Sequence, residues 1–137
     1  MIAGPLIASI EAVATADTED VEIRVTASCR PLASRTVRRL VRVLAADCPR
    51  LDDVLQITSE LIACAVLYPG PTDIMAVSIV LGTRMARVTI AQDMAPLQAK
   101  TAVPGFGLAM VVVHELADTC HHYNRGEYAQ IFAEVKW

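Results

Sequence analysis

The chain has 137 residues, 54% of them hydrophobic and 20% charged, with a formal net charge of −3. That composition suits one folded domain with a real core and excludes a disordered chain. The acidic balance argues against general binding to nucleic acid, which needs a cationic surface, and no apolar run reaches the roughly 18 residues that cross a bilayer.

Residues 1–20 form an apolar N-terminal segment, punctuated by Pro5 and by the polar cluster from Thr15 to Asp20. Met1 to Val13 fits a strand or a short helix that covers the sheet or pairs with another subunit. Glu11, and the lack of a basic residue ahead of the apolar run, do not suit a signal peptide, so a cytoplasmic location is expected. A single domain spans residues 21–137. Its first element, Val21 to Ala27, alternates Val21, Ile23 and Val25 with Glu22, Arg24 and Thr26, as a half-buried strand does.

Pro31 to Ala46 reads as an amphipathic helix with Val37, Leu40, Val41 and Leu44 on its apolar stripe. Arg35, Arg38, Arg39 and Arg42 take the other side, as a solvated face or as a surface for an acidic partner. Pro49 breaks the chain, and Asp52 and Asp53 favour the start of a second helix, from Leu51 to about Tyr68. Its stripe comprises Leu51, Val54, Leu55, Leu61, Ile62, Ala65 and Val66. Glu60 lies off that stripe, and Cys64 sits one turn later on its face. A carboxylate among apolar neighbours must be paired, neutralised or functional.

Asp73 to Leu81 reads as a central strand, Gly82-Thr83 as a turn, and Arg84 to Ala91 as the hairpin partner. A loop to Pro104 contains Asp93 and Pro96. Gly105-Phe106-Gly107 then opens a buried helix over Leu108 to Ala117. Two strands close the chain, near Thr119 to Tyr123 and Tyr128 to Val135, joined at Asn124-Arg125-Gly126. This order predicts a two-layer α/β sandwich, with helices on one face of a mixed, mostly antiparallel sheet.

Four scattered cysteines, Cys29, Cys48, Cys64 and Cys120, form no Cys-x-x-Cys pair, so packing thiols are expected in place of a zinc site. In Cys120-His121-His122, sequence neighbours rarely converge on one ion. His114 reads as a core or boundary histidine. Gly105 and Gly107 let a backbone approach a ligand closely, and a helix N-terminus offers unpaired N–H groups to an anion.

In this order the motifs resemble the GHKL, or histidine-kinase-like, ATPase superfamily, and most closely its small bacterial anti-sigma-factor serine kinases. The resemblance rests on Arg38-Arg39, on Ser59-Glu60-Leu61-Ile62-Ala63-Cys64-Ala65-Val66-Leu67-Tyr68, on Val88-Thr89-Ile90-Ala91-Gln92-Asp93, and on Gly105-Phe106-Gly107-Leu108 with Leu116-Ala117-Asp118 after it. It implies a Bergerat-type ATP-binding fold, ATP and Mg²⁺ as cofactors, a sigma factor or anti-sigma antagonist as protein partner, and a homodimer. Position by position, it implies Glu60 as general base, Asp93 (or Gln92, one residue earlier) as the adenine contact, and Gly105, Gly107 and Leu108 at the phosphates. The family's Mg²⁺-binding asparagine falls on Cys64, a soft donor where a hard ion needs oxygen. Ala63, Ala95, Leu67 and Tyr68 also depart from the pattern. The expectation is a regulatory member that acts by binding protein, with impaired Mg·ATP binding or catalysis. The alternative is an active serine/threonine kinase that phosphorylates an anti-sigma antagonist.

Overall fold

The computed structural model describes residues 6–14, 20–67, 70–93, 106–125 and 128–137. Strands β1 (Ile7–Ala14) and β2 (Val21–Ser28) come first, followed by helices α1 (Pro31–Leu44) and α2 (Leu51–Leu67). Strands β3 (Ile74–Leu81) and β4 (Met85–Asp93), helix α3 (Phe106–Leu116), and strands β5 (Thr119–Arg125) and β6 (Tyr128–Lys136) complete the chain.

The six strands form one sheet in the order β1-β2-β3-β4-β6-β5. Every neighbouring pair is antiparallel, so the expected mixed sheet is corrected to a wholly antiparallel one. The reason lies in the connections. With two successive helices between β2 and β3 the chain reverses three times, an odd number, so β3 runs opposite to β2. Helix α3 followed by β5 does the same for β6 against β4. The N-terminal segment, open between strand and helix in sequence, supplies a strand over Ile7–Ala14. The turn expected at Asn124-Arg125 is instead the end of β5, where Asn124 still pairs with Ala129 and Arg125 with Tyr128.

Strand alternation separates two faces. On the covered face, Val25, Val77, Ile90 and Ile131 line up as one row across four strands, and each is at most 5% exposed. Val37 and Val41 of α1, Ile57 and Leu61 of α2, and Val113 of α3 are buried in the same core cluster. With few aromatics, this core is built from branched aliphatics and alanines that interdigitate tightly. The other face is open. There Glu22 accepts two hydrogen bonds from Arg24, at 2.9 and 3.1 Å, and one from Ser78 at 2.8 Å. Arg87 pairs with Glu134 at 2.8 Å and lies over the Phe132 ring, while His121 and Tyr123 flank that ring.

Two anchors fasten the far end of the sandwich. Arg50, just ahead of α2, donates to Asp53, to Asp118, and to the backbone carbonyls of Leu116 and Lys136, at 2.8 to 3.1 Å. The bond to Leu116 satisfies a carbonyl in the last turn of α3, where a cation also suits the helix dipole. Trp137 donates its backbone N–H to the Arg84 carbonyl and its indole N–H to the Thr83 carbonyl, which ties the chain's last residue to the β3–β4 turn.

Candidate functional site

Helix α2 carries the two residues on which the functional expectations turn. It starts with Asp52 and Asp53 in its first turn, favourable next to the positive end of the helix dipole. It continues for 17 residues with Val54, Leu55, Ile57, Leu61, Ile62 and Ala65 turned inward. Polar side chains along it are satisfied locally: Thr58 Oγ1 donates to the Val54 carbonyl at 2.7 Å and Ser59 Oγ to the Leu55 carbonyl at 3.0 Å. A helix that secures its own hydroxyls in this way can lie flat on the sheet without leaving buried donors unpaired.

Glu60 stands at the boundary of that buried surface, half-exposed, and accepts a hydrogen bond from Gln56 Nε2 at 3.0 Å. This i, i+4 contact orients the carboxylate along the helix without removing it from solvent. Cys64, one turn on, has the opposite environment. It is 1% exposed and belongs to the core cluster. With Leu61, Ala65, Ile90, Gln92, Ala129 and Ile131 it lines a cavity of about 10 Å³ between α2 and the sheet. That volume is close to the minimum that holds a single water.

The end of β4 resolves which of its last two residues faces the helices. Gln92 is 5% exposed and shares the Cys64 cavity, while Asp93 is exposed on the open side of the sheet and accepts a hydrogen bond from Thr72 Oγ1 at 3.3 Å. The period of two in a strand requires this separation, since adjacent residues must point to opposite faces. Gln92 therefore faces the helices, while Asp93 is bound to the Thr72 hydroxyl. Gly105 lies outside the described residues. Gly107 is in the first turn of α3 and Leu108 is 71% exposed.

The structure thus brings Cys64 and Gln92 together, places Glu60 one helical turn from Cys64, and turns Asp93 to the other face of the sheet. The donor set at Cys64 does not fit Mg²⁺: sulfur is a soft ligand, and this thiol is enclosed by Leu61, Ile90 and Ile131 where an octahedral oxygen shell would be needed. A thiol in apolar surroundings is a packing group.

Other sequence-level candidates separate in the same way. On β5, Cys120 is half-buried against the core while His121 faces the open side beside Phe132, so the Cys-His-His run does not converge. Burial pushes the Cys120 thiol's pKa up, which keeps it protonated. His114 lies exposed on α3 and not in the core. Arg35, Arg39 and Arg42 are exposed along α1, whereas Arg38 is half-buried, with its Nε enclosed and without a hydrogen-bond partner. Sequence reasoning missed Arg50. Its signal was present, a basic residue between Pro49 and an Asp-rich helix start, but its partners Asp118 and Lys136 are remote in sequence. Among the described residues, no helix is long and apolar enough to cross a membrane. No protein-family model matches the chain, and no curated protein matches it in sequence.

Proposed function

We propose that this protein is a regulatory, protein-binding relative of the histidine-kinase-like ATPases, in which the metal-binding position has been absorbed into the hydrophobic core. The observation that carries this reading is the pairing of opposites one turn apart on α2. Glu60 stays half-exposed and polar, while Cys64 is 1% exposed in a cavity lined by aliphatic side chains and Gln92. The antiparallel sheet covered on one face by α1, α2 and α3 is compatible with the layered fold that the motifs of α2, β4 and α3 imply. A carboxylate general base needs a nucleophile and a charge-neutralised phosphate to act on. With no hard ligand at position 64, the chain's own chemistry favours binding over phosphoryl transfer. The partner is then a protein of the sigma-factor or anti-sigma-antagonist type, and the exposed arginines of α1 offer it a cationic face.

Calorimetric titration with Mg·ATP, on the native protein and on Cys64→Asn, tests this. The expected result is no Mg²⁺-dependent binding by the native protein. Transfer of phosphate from Mg·ATP to a protein substrate by the native protein would overturn the reading. Tighter Mg·ATP binding by Cys64→Asn would identify the thiol as the lost ligand.

A further inference from the structure

At the end of the sandwich away from Glu60 and Cys64, the close of α1, the α1–α2 connection, the β3–β4 turn and Trp137 surround a hollow of about 300 Å³. Leu44, Pro49, Leu81 and Trp137 supply its apolar walls, and Cys48 and Thr83 also line it. Cys64 lies 13 residues along α2 from Leu51, the start of that helix, and therefore about 20 Å from this end. The hollow reaches the volume of small-molecule clefts, and apolar walls with a few placed polar groups are what such clefts present.

Its lining says what fits there. Asp47 is the single charged side chain on it, and among the described residues no lysine or arginine lines it. Helix α1 contributes Leu44, its last residue, and Ala45, its C-cap, so the negative end of the helix dipole lies at the wall. Arg42, in the last turn of α1, is exposed and stands off the lining. The Asp20 carboxylate lies close against Gly82, where a Cβ would meet its Oδ1 at 2.9 Å, and adds a second negative group beside that wall. Trp137 is held in place by its backbone N–H on the Arg84 carbonyl at 3.0 Å and its indole N–H on the Thr83 carbonyl at 3.1 Å. With that ring donor committed, the indole has only its π system to offer a ligand, and this attracts cations.

We propose that this hollow is a binding site for a small organic cation with an apolar body, such as an aryl- or alkylammonium. The apolar part packs against Leu44, Leu81 and Trp137, and the charge is met by Asp47, the carbonyl end of α1 and the indole. A neutral ligand of the same shape gains only the apolar contact, and an anion meets negative groups on every polar side. The site does not depend on the nucleotide reading, because it shares no residue with Glu60, Cys64 or Gln92.

Trp137 is the only tryptophan in the chain, so its fluorescence reports on this hollow alone. Titration with benzyltrimethylammonium is expected to change that fluorescence saturably, with a Kd of about 1–10 mM for a probe of this size. Neutral benzyl alcohol should bind about fivefold more weakly, and benzenesulfonate should give no saturable change. Saturating benzyltrimethylammonium should also slow alkylation of Cys48, which lines the hollow, and leave that of Cys120 on β5 as it is. Asp47→Asn should weaken binding about threefold to fivefold. Leu44→Lys should weaken it by about tenfold or more, while circular dichroism stays native because a lysine suits the last turn of a helix. A native protein that shows neither a saturable fluorescence change nor protection of Cys48 would defeat the proposal. So would benzenesulfonate binding as tightly as the cation, or affinity unchanged in both folded variants.

Discussion

Arg50 and Asp118, 68 residues apart in sequence, are bound to one another at 2.9 Å, and each also holds the backbone of the last strand. Asp118 Oδ2 accepts the Lys136 N–H at 2.7 Å while Arg50 Nη1 donates to the Lys136 carbonyl at 3.1 Å. One guanidinium thereby joins the start of α2, the end of α3, the start of β5 and the end of β6. Arginine's planar fork of donors permits this, and lysine could not reproduce it.

Removing that fork should loosen the whole end of the sandwich. Arg50→Ala is expected to lower the melting temperature by about 5 °C, as two backbone carbonyls lose a charged donor worth about 1–2 kcal/mol in all. Arg50→Lys should recover only part of the loss. Thermal denaturation followed by circular dichroism measures both.

Acid should reach this region and the open face of the sheet together. Lys136's backbone N–H, then Arg50's charge, hold the Asp118 carboxyl below its ordinary pKa. Arg24's hydrogen bonds, then Ser78's, do the same for Glu22. Depressed carboxylates bind fewer protons folded than unfolded, so their contribution is complete above the ordinary carboxylate range, at about pH 4. It is lost as pH falls below that range through the depressed values. Melting temperature measured against pH should therefore fall on the acid side, and Asp118→Asn should flatten part of that fall.

Asp73 has a φ of +54°, in the left-handed region, and its carbonyl accepts the Cys29 N–H at 3.0 Å. Glycine occupies that region without a Cβ penalty. Asp73→Gly should be neutral or stabilising by up to about 1 kcal/mol, whereas the β-branched Asp73→Val should cost about 1–2 kcal/mol. Chemical denaturation of the two variants gives the sign directly.

The thiols should differ in reactivity toward an alkylating reagent under native conditions. Cys48, in the connection between α1 and α2, and Cys120 on β5 are both partly buried against the core, and burial disfavours the Cys120 thiolate. Cys29 and Cys64 are 6% and 1% exposed. Cys48 should react first, Cys120 more slowly, and Cys29 and Cys64 only on unfolding, as mass spectrometry of a time course would show. Early labelling of Cys64 would contradict its place in the core.

Local periodicity made most of the elements readable. Helix α2 and the β3–β4 hairpin follow from apolar spacing and from Pro-Gly-Pro and Gly-Thr punctuation, and their ends fall within two residues of expectation. The strand nature of β1 was not readable, because Ile7–Ala14 is small and apolar enough for either state and only pairing with β2 decides it. The site was readable as a set of residue types but not as an arrangement. That Gln92 rather than Asp93 faces α2 depends on the strand's phase, which a single unpaired sequence leaves open by one residue. Burial of Cys64 depends likewise on how α2 is rotated over Ile90 and Ile131, a tertiary fact.

The sheet order has a kinetic corollary. β1–β2, β3–β4 and β5–β6 are each hairpins between chain neighbours, whereas the β2–β3 and β4–β6 junctions bring together strands separated by helices. Local hairpins close in about 1–10 μs, and the remaining two junctions must wait for longer loops to close. The two junctions are therefore the last lines along which this sheet is sealed, and amides that bridge them should lose hydrogen-exchange protection together when the domain opens.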